Sequence, residues 1–217
     1  MRLASGLLTP LQSDTLYGHF CWRLKEMQGE ATLQNFIELY ANGKPVFTLS
    51  DGLYEVEGKI LFPKPIQAKL ETSLSNTDMS VSKDKKIKEL LQKKTERANR
   101  YILFESLQAF LDGNLDKYEE LLTTSSATYP EIKKDLRVHV GIDRKTLTNG
   151  EGLLFEKNPE HLGTETNYVI LLKVFDDSAF YDFKVESVLK DIFLAGFGKK
   201  KSSGYGAFEW IGVDEYT

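Results

Sequence analysis

Apolar residues recur along this chain in two rhythms: steps of three or four, which mark one face of a helix, and steps of two, which mark a half-buried strand. Arg2 to Thr9 carries a strand-sized apolar segment that Pro10 ends. Ser13 and Asp14 then offer helix-cap chemistry, and Leu16, Phe20, Leu24 and Met27 fall at steps of three or four, so a helix is predicted over Ser13 to Met27. A second helix, Thr32 to Tyr40, is closed by Asn42-Gly43, and short extended segments follow at Pro45 to Leu49 and Lys59 to Phe62, with a turn at Asp51-Gly52. Pro63-Lys-Pro65 breaks this pattern. The residues from about 64 to 135 read as an insertion, polar over Thr72 to Ser82 and helix-forming from Lys83 to Leu111, where Tyr101, Phe104, Leu107, Phe110 and Leu111 form a stripe. Lys117 to Leu122 continues it.

Strict alternation returns at Leu136 to Ile142, the pattern of a half-buried strand, and Asn149-Gly150 predicts a turn before a return strand at Gly152 to Glu156. Asn167 to Phe175 reads as a longer, central strand. Val185, Val188, Leu189, Ile192 and Phe193 mark a helix from about Phe183 to Ala195, and Tyr205 to Ile211 reads as the last strand. With the insertion set aside, the order is βαββαβ. The expected class is therefore α+β, a ferredoxin-like or RNA-recognition-like domain spanning 1–217 with a largely helical insertion. Such an architecture hosts many functions, so function has to be argued from a site.

Composition supports a globular chain: 41% of its 217 residues are hydrophobic and 12% aromatic, and no stretch is long and apolar enough to span a bilayer. The apolar run at the N-terminus is too short for a signal peptide. The single cysteine, Cys21, excludes an internal disulfide and a cysteine-based zinc site, which fits a reducing cytoplasm. A net charge of −4 argues against nucleic-acid binding by bulk electrostatics. Charge is nevertheless segregated. Lys83 to Arg100 holds eight basic residues against three acidic ones, and Lys199 to Lys201 is uninterrupted, a distribution that suits one basic face for a polyanion and other faces for protein partners.

The densest chemistry lies near the end, in Gly196-Phe-Gly-Lys-Lys-Lys-Ser-Ser-Gly-Tyr-Gly206. Gly196, Gly198, Gly204 and Gly206 allow the backbone to approach a ligand closely, Lys199, Lys200 and Lys201 supply charge, and Ser202 and Ser203 supply hydroxyls; together they predict a phosphate-binding loop. An ordinary flexible turn with solvated lysines is the alternative. The spacing is neither that of a Walker loop nor that of the dinucleotide fingerprint, since this loop follows a helix and enters a strand.

Three histidines invite enzyme readings. His19 lies on the first predicted helix, His139 shares a strand face with Arg137, and His161 falls in a predicted loop; none shows metal-ligand spacing, and no G-x-S-x-G nucleophile motif occurs. His19 is read either as a polar contact at a helix edge or as an acid–base group. Arg137 and Arg144 would project from a strand and its end, where guanidinium groups grip phosphate or stack on bases, although Asp143-Arg144 also fits a turn with a local ion pair.

The pattern glycine-hydrophobic-glycine, five residues, glycine-aromatic-glycine before a final strand resembles the glycine-rich loop of the RAMP superfamily of CRISPR RNA-binding proteins. Ser13-Asp-Thr-Leu-Tyr-Gly-His19, Leu61-Phe-Pro-Lys-Pro65, the lysine-rich run leading to Tyr101-Ile-Leu-Phe104, and Gly196 to Phe208 carry a further resemblance to the type III-A Csm-complex subunit that caps the 5′ end of the guide RNA. Asp143-Arg144-Lys-Thr146 resembles the I-D-R-x-T element of these proteins. The resemblance implies a non-catalytic subunit without cofactor or metal. It implies that the repeat-derived 5′ handle of the guide RNA is held by the glycine loop and by Ser13, Asp14 and His19 of the first helix. The implied partners are guide RNA, a large polymerase-like subunit and a backbone RAMP subunit, with no membrane. Such subunits usually carry a second related half, and since this sequence stops soon after the first glycine loop the resemblance is to the first half, as expected of a truncated piece, one part of a split subunit or a compact relative. Two alternatives remain open within the superfamily: a metal-independent guide-processing endoribonuclease using His19, and a repeating backbone subunit.

Overall fold

The computed structural model describes residues 1–66, 100–124, 129–142 and 149–215. The polar stretch Thr72 to Ser82, the lysine-rich run up to Arg100, and Asp143 to Thr146 with Arg144 lie outside these residues. In chain order the elements begin with β1 (Arg2–Leu3), α1 (Ser13–Gln28), α2 (Glu30–Ala41), β2 (Phe47–Leu49), β3 (Leu53–Val56), β4 (Lys59–Pro63) and β5 (Tyr101–Leu103). They continue with α3 (Phe104–Leu111), α4 (Leu115–Thr124), β6 (Ile132–Lys134), β7 (Arg137–Ile142), β8 (Asn149–Lys157) and β9 (Glu160–Leu162). The last are β10 (Thr166–Val169), β11 (Leu172–Val174), α5 (Asp177–Asp182), α6 (Val185–Ala195) and β12 (Phe208–Glu209). The chain divides into two compact units, Met1–Glu55 with Pro130–Thr217, and Val56–Tyr129.

In the first unit β1 pairs antiparallel with β12, Leu3 opposite Phe208. Beside its other edge the Met1 amine donates to the Tyr168 carbonyl at 2.9 Å, and the Tyr168 amide donates back to the Met1 carbonyl at 2.8 Å. β10 neighbours β3, and β11 pairs antiparallel with β2, Leu172 opposite Leu49. Taking β2 with β3 as one broken strand and β10 with β11 as another, the order across the layer is fourth, first, third, second. That is the order of a ferredoxin-like βαββαβ sheet, and it follows because each helix must cross over one strand to place the next.

The helices cover one face of this layer. Leu16, Phe20 and Leu24 of α1, Phe36 of α2 and Val185, Val188, Leu189, Ile192 and Phe193 of α6 are buried with Phe47, Phe197 and Phe208 in one core. Rings dominate it: Phe20, Phe36 and Phe47 meet at centroid distances of 5.1 to 6.0 Å, and Phe193 packs edge-on against Phe208 at 5.2 Å.

Several expectations are corrected. The first strand is confined to Arg2–Leu3, and Leu7 makes only an isolated bridge to Glu160. Neither Ser13 nor Asp14 caps α1: Gln12 stands at the cap, the Ser13 amide donates to Asp51 Oδ1 at 2.7 Å, and the Asp14 carboxylate accepts from its neighbour Thr15. The positive end of the helix is thus met by a carboxylate from the β2–β3 turn. The strand expected over Asn167 to Phe175 is broken at Ile170 and Leu171, where Leu171 exchanges hydrogen bonds with Ser50, its carbonyl accepting from the Ser50 amide and its amide donating to Oγ. A separate helix, α5, precedes α6; Asp176 caps it by accepting from the Ala179 amide at 2.9 Å, and Lys184 in left-handed conformation separates the two. The last strand shrinks to Phe208–Glu209.

β7 and β8 form a hairpin with Arg137 opposite Lys157 and His139 opposite Phe155. Asn149-Gly150 belongs to β8 rather than to a turn, and a bulge lies between Val140 and Ile142. The half-buried face predicted here is exposed: Leu136, Val138 and Val140 are 57%, 58% and 46% accessible. Alternation identifies a strand but not the layer that covers it, and no described residue covers this face. His161, expected in a loop, lies on β9, which pairs with β6.

In the second unit β4 and β5 pair antiparallel, Leu61 opposite Leu103 and Pro63 opposite Tyr101. Tyr101 to Leu103 was expected to be helical. Its three bulky side chains extend the helical stripe in sequence, but the backbone is taken up by the ladder to β4, and the helix starts only at Phe104. Phe110 of α3 meets the buried Tyr118 of α4 at 5.4 Å.

Candidate nucleic-acid interface

Helix α6 buries five apolar side chains and stops at Gly196, whose φ of 94° no L-residue adopts cheaply. The chain then plunges Phe197 into the core, where it is fully buried, and re-emerges. Each return to the surface is fixed by a hydrogen bond. The Phe197 amide donates to the Gly206 carbonyl at 2.7 Å, the Gly206 amide to the Gly6 carbonyl at 2.9 Å, the Ala207 amide to Ser5 Oγ at 2.9 Å, and the Lys199 amide to Thr9 Oγ1 at 2.9 Å. A Cβ on Gly206 would lie 2.0 Å from the Phe197 carbonyl oxygen, and one on Gly198 would lie 2.5 Å from Thr9 Cβ. Both ends of the loop are therefore sewn to the segment between β1 and α1.

Between those ends the loop stands out from the surface. Lys200 takes a left-handed conformation at φ 63°, a 3₁₀ turn covers Lys201–Ser203, and Gly204 closes it at φ 83° with open space where a Cβ would stand. The Ser203 and Gly204 amides are engaged with the Lys200 and Lys201 carbonyls, whereas the amides of Gly198, Lys200 and Lys201 take no part in these bonds. Lys199, Lys200, Lys201, Ser202, Ser203 and Gly204 are exposed, and the three lysines form no ion pair among the described residues. An anion approaching here would meet three ammonium groups that no described carboxylate pairs with, beside the amides of Gly198, Lys200 and Lys201.

His19 joins the loop from α1. Its ring lies 5.0 Å from that of Phe197, and partial burial together with the charge of Lys201 lowers its pKa below the usual histidine value. The imidazole is thus neutral at pH 7, a hydrogen-bonding group rather than a cation. α1 is itself tied to α6 through the Arg23 guanidinium on Asp191.

Arg137 reaches the site from the hairpin. Asp135 accepts from its Nε at 2.7 Å, and the Tyr205 phenol is a weaker second partner; both hold the guanidinium charged. Directly opposite in the ladder, Lys157 sets its ammonium 5.5 Å from the Tyr205 ring centre and 5.6 Å from that of Phe155. Phe155 in turn stacks on His139 at 5.3 Å and an interplanar angle of 11°.

The structure accordingly brings together Gly196 to Gly206, His19 and Arg137. No described contact carries Ser13 or Asp14 to the loop, and Arg144 lies outside the described residues. The sequence reading missed Lys157 and Thr9. Lys157 stands opposite Arg137 only once the register of β7 and β8 is known, and Thr9 falls in the segment expected as the first strand, which does not extend so far. No helix among the described residues is long and apolar enough to cross a membrane.

No protein-family model and no curated protein matches the chain. Solved structures do. One is a chain of the Csm3-Csm4 subcomplex in the type III-A CRISPR-Cas interference complex, with 16% identity and a TM-score of 0.56 over 96% of this chain and 65% of that one. Chains of the Csm1-Csm4 cassette match at 13% identity and a TM-score of 0.50, in complex with cA4 over 87% of this chain and 61% of that one, and in complex with AMPPNP over 88% and 64%. The chain spans less than two thirds of the length of these solved chains. With the strand order and the helices on one face, these matches give the chain a ferredoxin-like α+β fold shared with chains of the Csm3-Csm4 and Csm1-Csm4 assemblies.

Proposed function

We propose that the chain is a non-catalytic guide-RNA-binding subunit of a type III CRISPR effector complex, serving antiviral defence in the cytoplasm. The glycine loop holds the repeat-derived 5′ handle of the guide. The large polymerase-like subunit and a backbone RAMP subunit are its protein partners, and the helical insertion at about 64–135 belongs to the same single RAMP-type domain. The observation that carries this reading is the loop itself: pinned at both ends, projecting three lysines that form no ion pair among the described residues, and flanked by His19 and Arg137. A backbone fixed by hydrogen bonds at both ends suits holding a phosphodiester chain, because little conformational freedom is lost on binding. The likeness to chains of the Csm3-Csm4 and Csm1-Csm4 assemblies supports the same assignment.

The endoribonuclease alternative needs proton transfer at two atoms of the scissile phosphodiester. His19 is neutral and able to accept a proton, but no described contact brings His139 or His161 to it. Incubating the purified chain with repeat-derived RNA and a chelator tests the proposal. Intact RNA that stays bound is the expected result; site-specific cleavage that disappears in His19→Ala would overturn it.

A further inference from the structure

Two cations approach Tyr205 from the hairpin, and they are not equivalent. Arg137 is engaged by the Asp135 carboxylate, which neutralises much of its charge at the surface. Lys157 has no carboxylate partner among the described residues and sits between two rings, Tyr205 of the glycine loop and Phe155 of its own strand. An ammonium held by ring faces keeps its full charge and retains N–H donors for a further acceptor. The two rings also restrict a long, flexible side chain, so the charge is partly ordered in advance of any ligand.

We propose that Lys157 is a phosphate anchor that extends the nucleic-acid track from Lys199, Lys200 and Lys201 past Tyr205 onto the β7–β8 hairpin. The inference rests on the RNA-binding reading of the glycine loop. The ligand is single-stranded RNA, whose backbone crosses from the loop to the hairpin with one phosphate on the Lys157 ammonium. Tyr205 serves as a positioning residue, holding Lys157 over the crossing point rather than contributing charge itself. Phe155, with one face against His139 and Lys157 beside it, is the second wall of that seat.

Binding of a labelled single-stranded RNA of mixed sequence to the full chain, measured across a salt series, tests this. Lys157→Met should lower the slope of log affinity against log salt by about 0.7, the share of one phosphate on a single strand, and Lys157→Arg should restore it. Tyr205→Leu should weaken binding without reducing the slope by as much as Lys157→Met. Melting temperatures of the variants, read alongside, separate a folding defect from a lost contact, and Lys157→Gln serves if the methionine variant is unstable. An unchanged slope in a folded Lys157 variant, with wild-type binding intact, overturns the anchor and leaves the RNA-binding reading standing. Wild-type protein that fails to bind RNA overturns both.

Discussion

The Phe197 amide and the Gly206 carbonyl close the glycine loop on itself at 2.7 Å, and the two backbones lie so near that a Cβ on Gly206 would come within 2.0 Å of the Phe197 carbonyl oxygen. Gly206 therefore fails as alanine for two reasons, a positive φ of 70° and a clash with backbone that cannot swing aside. Gly206→Ala should cost about 3 kcal/mol or more in chemical denaturation. Gly204→Ala, at a similar φ but in open space, should cost only about 1–2 kcal/mol. Equal losses at the two positions would contradict the close approach.

Phe197 couples the same loop to the core. Its ring is wholly buried beside His19, so Phe197→Ala should destabilise by about 3–5 kcal/mol and loosen the loop together with the fold. Denaturation and RNA affinity should fall in step. Stability near wild type would mean that the ring does not occupy the core.

Thr9 makes a smaller, more local bond. Its Oγ1 accepts from the Lys199 amide at 2.9 Å on the exposed side of the loop. Thr9→Val should lose about 0.5–1 kcal/mol, and Thr9→Ser should retain most of it. Amide hydrogen exchange at Lys199 checks this directly: protection should drop in the valine variant and persist in the serine variant.

His19 predicts a dependence on pH. Burial and Lys201 lower its folded pKa, so between the folded and unfolded values the unfolded chain binds more protons. Its contribution to stability is complete above about pH 6.5, the unfolded histidine value, and is lost as the pH falls below that towards the folded value. A nuclear magnetic resonance titration should place the wild-type pKa below that of free histidine, with Lys201→Ala shifting it back upward. A downward shift in that variant would remove Lys201 from the site.

The sequence made much of this arrangement legible, for a physical reason. α1 and α6 announce themselves because Leu16, Phe20 and Leu24, and Val188, Ile192 and Phe193, must share one face to enter one core, and helical spacing records that demand. The glycine loop is legible because four positions require conformations or approaches that only glycine supplies. Other features are set by pairing, which leaves no local trace. Tyr101 to Leu103 looks like the start of the helix that follows until its ladder with Leu61 to Pro63 is seen. Leu136, Val138 and Val140 carry a strand pattern with no layer over them among the described residues. Lys157 stands twenty residues from Arg137 in the chain and becomes its neighbour only through the register of the hairpin.

In the proposed function Lys199, Lys200 and Lys201 hold RNA backbone on a loop pinned at both ends. The measurement that bears on it most directly is the affinity of the full chain and of its triple alanine variant for repeat-derived RNA across a series of salt concentrations. The wild type should bind with steep salt dependence, and the variant should bind more weakly with a slope smaller by up to about 2, three phosphate contacts on a single strand. Equal affinity and equal slope in the two proteins would contradict it.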